Sequence, residues 1–247
     1  MCGRYVLKEP RQALRALVQA EFEEFSELRL FPRFNISPTQ TVPIVILEES
    51  GRAAVEAKWA FSPPWAASAK VKVPLMINAR AEGVAKSRAF RHAFSENRCL
   101  APASGYYEWQ TLAEKTKKPA KLPFYISPTS GALMAFAGLW EPLAQAEEER
   151  LRTFALMTTA AAPELEKIHN RMPVILAEAD WSVWLKPGPL SEEDAERILA
   201  PRLSVPMGNW PVSSRVNSNR NEGPELIERV NPTAAETDPQ MAFDFSF

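Results

Sequence analysis

The sequence predicts an α+β fold with a mostly antiparallel β core. Stretches with the residue pattern of strands outnumber helical stretches, and the two kinds are not evenly alternated along the chain. The chain has 247 residues, 46% of them hydrophobic and 24% charged, which is the balance of an ordinary globular protein with a sizeable core. No internal repeat is visible, which argues against a repeat architecture.

The strand predictions rest on β-branched and aromatic residues bounded by turn residues. TVPIVILEE, residues 41–49, is followed by a turn at Ser50-Gly51, and RAAVEAKW returns as its partner strand. RCLAPASGYYEWQ, residues 98–110, predicts two short strands around Ser104-Gly105. Further strands are predicted at 73–80, 123–127, 133–140, 152–159 and 173–177.

Helices are predicted where apolar residues recur at helical spacing, as in residues 10–22, which have a proline near their start. The other predicted helices are 82–97, 162–172, 178–186 and 191–199. Residues 31–40 and 61–70 are predicted to be loops because of their prolines, and 204–230 to be irregular with short strands. Residues 231–247 turn polar and small, which predicts a flexible tail.

The composition narrows the classes of function. A formal net charge of -1 and a pI near 6.2 mean that DNA binding would need a local basic site. Two cysteines, Cys2 and Cys99, and two histidines, His92 and His169, are too few for an ordinary structural zinc site, so we predict no metal and no cofactor. Without a membrane-length apolar run or a signal peptide, we expect a cytoplasmic protein with free thiols.

The first candidate for chemistry is Cys2, in the opening MCGRY. If Met1 is removed, Cys2 offers a thiol beside an α-amine, whose pKa is typically about 7.7–8.0. Such an amine condenses with an aldehyde to an imine, and the thiol can close the imine into a five-membered thiazolidine. Attack on an amide is the other natural use of this terminus. The alternative is a buried small side chain in the first strand.

Two further residues are suited to proton transfer. His169, in IHNRMP, has flanking polar residues that favour an exposed pocket, although a satisfied structural histidine is the alternative. Glu108, in GYYEW, stands among aromatic residues, where desolvation would raise its pKa towards that of a working acid or base. A strand-edge glutamate facing water is the alternative there. His92, with apolar neighbours on a helix, is interpreted as structural.

Polar and aromatic residues suited to DNA complete the candidates. Asn78 and Arg80, in INAR, lie on the same face of a strand and could orient a nucleophile and hold a phosphate, unless that face is merely solvated. Trp65 could stack an unpaired base, or pack over the core instead. Four arginines could line a groove, namely Arg4, Arg33, Arg80 and Arg171.

These segments follow one another in a fixed order, and the order is more specific than any one of them. They are MCGRY, RFNISP, the WAFSPPW variant of a Trp-Gly-x-x-Pro-x-Trp element, INARAE, RCLAPASGYYEW, MTTAA and IHNRMPVIL. The set resembles the SRAP family, the SOS response-associated peptidases that process abasic sites. The resemblance covers residues 2–230 and implies a single domain with a barrel-like β core flanked by helices, followed by the tail 231–247.

The resemblance also implies a function. After self-removal of Met1, Cys2 would form a thiazolidine with the ring-opened aldehyde of an abasic site in single-stranded DNA, with slow reversal possible. The crosslink would shield the lesion from strand cleavage and error-prone bypass. Asn78 would orient Cys2, Glu108 would serve Met1 removal and proton transfer, and His169 would assist ring opening and reversal. The residues placed at DNA by the resemblance are Arg4, Asn35, Trp65, Arg80, Thr158 and Arg171.

The sequence departs from the family pattern at two positions, and its tail lies outside the resemblance. Ala60 stands where a glycine is common and Ala66 where some members have tryptophan, which bears on stacking at a DNA junction. In the tail, Gln240, Phe243 and Phe247 could anchor a sliding-clamp peptide, or fold back on the core. We expect a monomer associated with DNA. The rival classes are glutamine amidotransferases, which also begin Met-Cys-Gly, and a non-catalytic single-stranded DNA-binding module.

Overall fold

The computed structural model describes residues 2–18, 25, 28–68, 74–112, 120–143 and 151–232. Thirteen β-strands lie within these ranges. They are β1 Arg4–Leu7, β2 Arg33–Ile36, β3 Thr41–Glu48, β4 Gly51–Trp59, β5 Asn78–Arg80, β6 Arg98–Ala103, β7 Gly105–Thr111, β8 Lys121–Pro128, β9 Met134–Pro142, β10 Arg152–Ala160, β11 Arg171–Pro173, β12 Ile175–Leu176 and β13 Met207–Pro211. The α-helices are α1 Pro10–Val18, α2 Pro64–Ser68, α3 Arg91–Glu96, α4 Trp181–Leu185 and α5 Glu192–Leu199.

The described strands form two sheets. In the larger one, β10, β4, β3, β6 and β9 follow one another, and β9 pairs again with β10, which closes these strands into a ring. The smaller sheet has the order β13-β8-β7-β1-β2. All pairings among the described strands are antiparallel except those of β10 with β4 and β5. The α+β prediction with a mostly antiparallel, barrel-like core is therefore confirmed.

The chain passes from one sheet to the other at a point that positions the site. Strands β6 and β7 are separated only by Ser104, yet β6 belongs to the ring and β7 pairs with β1 in the smaller sheet. Gly105 makes this crossing possible, because a Cβ there would lie 2.3 Å from the ring of Tyr125. Between the sheets, Tyr5 and Tyr106 pack edge-on against Phe136, with ring centroids 6.0 and 5.9 Å away.

A buried arginine ties the helical side of the molecule to the ring. Arg98, at the start of β6, is 2% exposed. Its guanidinium donates to the carbonyl oxygens of Ser95 (2.8 Å) and Gly188 (2.9 Å), and also to those of Phe94, Trp184 and Lys186. The carbonyls at the carboxyl ends of α3 and α4 thus share one cation, which favours this arrangement electrostatically.

Several local predictions were wrong. Residues 31–40 were predicted to be a loop, but 33–36 form β2, because this segment pairs with β1. Residues 61–70 contain the short helix α2, where Pro64 is tolerated at the first helical position because a residue there needs no amide hydrogen bond. Residues 162–172 form hydrogen-bonded turns rather than a helix, and 171–173 extend as β11 against β10.

One other predicted helix is interrupted, and some predictions reach beyond the described residues. The predicted helix 82–97 is broken into a 3₁₀ turn at Ala81–Lys86 and the helix α3. The helix predicted at 10–22 is present at 10–18, and the remainder lies outside the described residues. The tail from 233, with its proposed clamp anchors, lies outside them as well. None of the helices in the described ranges is long and apolar enough to cross a membrane.

Candidate active site at the amino terminus

Cys2 lies just ahead of β1, and its surroundings come from two other elements. Its side chain is fully buried, with Sγ 3.9 Å from the carbonyl oxygen of Arg4. Asn78, at the start of β5, donates from Nδ2 to the carbonyl oxygen of Cys2 at 3.0 Å. The Oδ1 atom of Asn78 is buried and meets no hydrogen-bond partner among the described residues. The Asn78 side chain thus fixes the backbone of the candidate nucleophile, and its Oδ1 atom can still accept a hydrogen bond.

Glu108 is brought to Cys2 by the pairing of β1 with β7. Arg4 pairs with Tyr107, so the segment before β1 runs beside Glu108. Glu108 is 2% exposed, and burial raises its pKa to about 7, while the charge of the chain's amino terminus lowers it in part. Burial, and then the nearby Glu108 carboxylate, raise the pKa of the Cys2 thiol well above its usual range. The resting nucleophile is therefore a thiol beside a carboxyl group that titrates near neutrality.

His169 is held by its own loop. The backbone amide of Arg171 donates to Nδ1 of His169 at 3.0 Å, and the loop is closed by a bond from the Ala161 amide to the Asn170 carbonyl, also 3.0 Å. Burial, and then the charge of the chain's amino terminus, lower the pKa of His169. Because Nδ1 accepts a hydrogen bond, the neutral ring carries its proton on Nε2. His169 near pH 7 is thus a neutral donor through Nε2.

Thr158, Arg80 and Arg171 meet on the strands around the end of β10. Thr158 is fully buried and pairs with Arg80 of β5 on one side, while Ala160 pairs with Arg171 of β11 on the other. The Arg171 Nη2 atom donates to the Thr158 carbonyl at 2.7 Å and to its hydroxyl at 3.2 Å. Arg80 is exposed. The predicted DNA contacts on β5, β10 and β11 therefore lie side by side.

Arg4 and Asn35 have a different environment from the one predicted. Arg4 is 6% exposed, and its Nη1 atom donates to Asn35 Oδ1 at 2.8 Å and to the Val216 carbonyl at 2.7 Å. The Asn35 amide in turn donates to the carbonyls of Ser218 and Asn221, at 3.0 and 2.9 Å. Both residues hold the 216–221 segment against β1 and β2, and contact with DNA by either stays a prediction.

Trp65 is half-buried in α2 and its described contacts are with Arg88. Its Nε1 donates to the Arg88 carbonyl at 3.3 Å, and the Arg88 guanidinium carbon lies 4.8 Å from the ring centroid. One face of the indole is thus covered by a cation. Stacking of a base on Trp65 stays a prediction, and Arg88 is a neighbour that the sequence did not indicate.

Two further residues of the site region, besides Arg88, were not indicated by the sequence. Glu82 binds Arg171 through both carboxylate oxygens, with Oε2 at 3.0 Å from Nη2. Gln110 donates from Nε2 to the Lys167 carbonyl at 2.9 Å, which ties β7 to the loop that carries His169. The only sequence signal for Glu82 was its place in INARAE, two residues after Arg80. Across the described ranges, no group of three or more His, Cys, Asp or Glu side chains could hold a metal ion.

In this arrangement a cysteine near the amino terminus is buried beside a carboxyl group, and polar site residues lie on the three neighbouring strands β5, β10 and β11. Residues 1–219 match the family model described as SOS response associated peptidase (SRAP). Since the match covers more than half of the sequence, the chain belongs to the SRAP family. The family prediction is confirmed.

Three relatives are named abasic site processing proteins. YoqW of Bacillus subtilis (strain 168) is 36% identical over 229 residues, which cover 92% of this chain and 99% of YoqW. YedK of Escherichia coli (strain K12) is 27% identical over 234 residues, covering 93% and 100% of the two chains. HMCES of Rattus norvegicus is 27% identical over 294 residues, covering 98% of this chain and 81% of HMCES.

Solved structures share the fold. A protein from Bacteroides thetaiotaomicron superposes with a TM-score of 0.73 at 23% identity, over 93% of this chain and 100% of the other. A phage-related protein from Bordetella bronchiseptica gives a TM-score of 0.67 at 28% identity, over 85% and 94% of the two chains. The closed β ring and its flanking helices are therefore the fold of experimentally known proteins.

Proposed function

We propose that this chain recognises abasic sites in single-stranded DNA and captures them covalently at Cys2 once Met1 has been removed. Membership in the SRAP family and the names of its relatives support an abasic site as the lesion that is recognised. One observation carries the chemistry: Asn78 holds the Cys2 carbonyl at 3.0 Å, beside a buried glutamate with a pKa of about 7.

The first step is removal of Met1. One water molecule is added across the amide bond between Met1 and Cys2, which releases methionine and leaves Cys2 with a free α-amine. Glu108 supports this step because it lies close enough to the amino terminus for the terminal charge to lower its pKa. A carboxyl group that titrates near pH 7 can both accept and return a proton during hydrolysis.

Capture then follows in two bond-forming steps. The neutral amine of Cys2 attacks the aldehyde carbon of the opened sugar, and loss of one water molecule gives an imine. The thiol adds across the C=N bond, so that sulfur bonds to carbon and the thiol proton ends on nitrogen. Because burial keeps the thiol protonated, the amine reacts first and the sulfur second. No oxidant, metal or second substrate is needed for this balance.

The remaining residues have proposed roles that follow from their positions. Glu108 takes the proton from the Cys2 ammonium group and returns it to the departing hydroxyl. His169 donates through Nε2 to the sugar oxygen, which favours the open aldehyde. Arg80, exposed beside Thr158, contacts a backbone phosphate. Trp65 supports a neighbouring base.

The test is a denaturing gel of the protein with a single-stranded oligonucleotide that carries one abasic site. The wild type should give a shifted band and Cys2→Ala should not. Cys99→Ala is the matched control, because Cys99 is equally buried but lies within β6 and cannot carry a free α-amine. Intact mass should show loss of Met1 and an adduct of protein plus DNA minus one water.

The outcomes separate the rival functions. A shifted band with Cys2→Ala equal to the wild type would refute capture by Cys2. Salt-sensitive binding without any denaturant-resistant adduct, in protein that has lost Met1, would indicate a non-catalytic binding module instead. Borohydride should trap the imine but should not be required for the wild-type adduct, because the thiazolidine is already stable to denaturant.

A further inference from the structure

Glu82 and Arg171 form a two-pronged ion pair at the rim of the proposed DNA site. Both carboxylate oxygens accept from the guanidinium, Oε2 from Nη2 at 3.0 Å and Oε1 from Nη1 at shorter range. The Glu82 side chain is 55% exposed and that of Arg171 only 15%. The carboxylate therefore stands between the guanidinium and solvent.

The edge of Arg171 that Glu82 occupies is the edge that a phosphate would use. A guanidinium presents parallel N–H groups that fit a carboxylate or a phosphate equally well, in the same two-pronged geometry. The hydrogen bond from Arg171 lowers the pKa of Glu82, and the charge of Arg80 contributes in the same direction. Glu82 is thus an anion that binds one arginine predicted to contact DNA and is stabilised by the charge of a second.

We propose that Glu82 occupies the phosphate-binding edge of Arg171 in the DNA-free protein, and that a backbone phosphate of single-stranded DNA must displace it. This inference rests on the proposed function, since DNA is the ligand. It makes Glu82 a residue that weakens the phosphate contacts of any single-stranded DNA. Damaged and undamaged DNA both have to break the ion pair, and only damaged DNA can offset that cost with a covalent bond at Cys2.

Displacement is feasible because the two partners are anchored differently. Glu82 lies in the exposed 3₁₀ turn Ala81–Lys86, so its side chain has open space to move into. Arg171 is held independently by the carbonyl and hydroxyl of Thr158, and stays in place when the carboxylate leaves. An ion pair with one exposed partner contributes little to stability, so a phosphate that is also attracted by Arg80 can replace it.

The experiment measures the dissociation constant for an undamaged, fluorescein-labelled single-stranded oligonucleotide by anisotropy at about 0.1 M salt, where the Debye length is about 10 Å. Glu82→Gln keeps the size of the side chain but removes its charge. It should tighten binding by roughly three- to tenfold, through loss of the competing ion pair and of repulsion towards phosphate. A gain of affinity is not produced by misfolding, so the expected direction guards against the commonest artefact.

Glu48→Gln is the matched control for the change in net charge. Glu48 is 44% exposed and pairs with Arg152 at 3.9 Å. Arg152 begins β10 and Thr158 lies six residues further along it, about 20 Å away. This variant should change the dissociation constant by less than about twofold, because interactions between exposed charges at that distance are largely screened even at moderate salt. Equal tightening by the two variants would overturn the proposal.

A double-mutant cycle assigns the effect to the pair. In an Arg171→Ala background, Glu82→Gln should tighten DNA binding much less, because the guanidinium edge that the substitution would uncover is absent. Unchanged or weaker binding by Glu82→Gln alone refutes the inference. If the wild type neither binds nor captures DNA, the proposed function itself fails. If the wild type captures abasic DNA and Glu82→Gln shows no gain, only the role of Glu82 is wrong.

Discussion

Replacing Glu108 by glutamine should change how the stability of the protein depends on pH. The substitution keeps the size of a side chain that is 2% exposed and removes its ability to ionise. Burial raises the pKa of Glu108 from 4.5 to about 7. In the unfolded chain the same carboxyl group is in water and titrates at its ordinary value.

The size and sign of the effect follow from this difference. A tenfold change in proton affinity corresponds to about 1.4 kcal/mol, so the rise of the pKa from 4.5 to about 7 corresponds to roughly 3 kcal/mol. The folded state binds the proton more tightly than the unfolded state. The stabilisation by this proton is therefore fully present below pH 4.5 and is lost as the pH rises through about 7.

The assay is urea unfolding of the wild type and Glu108→Gln at several pH values from about 5 to 8. Both proteins need the same amino terminus, checked by intact mass, because the terminal charge affects Glu108. Groups that do not interact with Glu108 titrate equally in both proteins, so the difference between the two curves reports this carboxyl group together with the amino terminus beside it. As the pH rises, the free energy of unfolding of Glu108→Gln should increase by about 3 kcal/mol relative to that of the wild type. Curves that stay parallel would refute the burial argument.

Three further predictions concern catalysis and stability. Asn78→Ala removes the amide that holds the backbone of the nucleophile, and should slow adduct formation by roughly a hundredfold in a gel time course. Arg98→Met leaves several buried carbonyl groups without a donor, and should lower the free energy of unfolding in urea by about 3 kcal/mol or more. Gly105→Ala places a Cβ 2.3 Å from Tyr125 and should destabilise by about 1–3 kcal/mol, whereas Gly83→Ala meets nothing within 4 Å and should be near neutral in the same thermal melt.

The elements that the sequence predicted best are those whose side chains alternate between core and solvent or are uniformly apolar. The predicted hairpin of β3 and β4 is paired residue for residue from Thr41–Lys58 to Glu48–Gly51, and its turn is Glu49-Ser50, one residue earlier than predicted. The strand β2 was missed because its proline neighbours suggested a loop, and pairing with β1 decides its conformation. Tertiary contacts of that kind leave no periodic signal in a short segment.

The site was predicted in part, and the difference has a physical cause. Local motifs indicated Cys2 and Asn78, and the structure joins them by a hydrogen bond between residues 76 positions apart. The pairing of Glu82 with Arg171 spans 89 positions, and no local pattern can indicate it. Arg4 was assigned to DNA from its place in a motif, but its burial depends on a segment more than 200 residues later. A motif indicates which residues are candidates for a site, but it does not indicate which atoms those residues contact.

The burial of Cys2 has a consequence for selectivity if capture proceeds as proposed. A thiol whose pKa lies well above its usual range is almost entirely protonated near pH 7, and the thiolate is the form that oxidants and other electrophiles attack. Addition to an imine is different, because the imine forms on the amine of the same residue and holds its carbon next to Sγ. A proton acceptor with a pKa of about 7 lies beside it in Glu108. The environment that makes Cys2 a poor general nucleophile therefore still permits its reaction with an aldehyde that the amine has already bound.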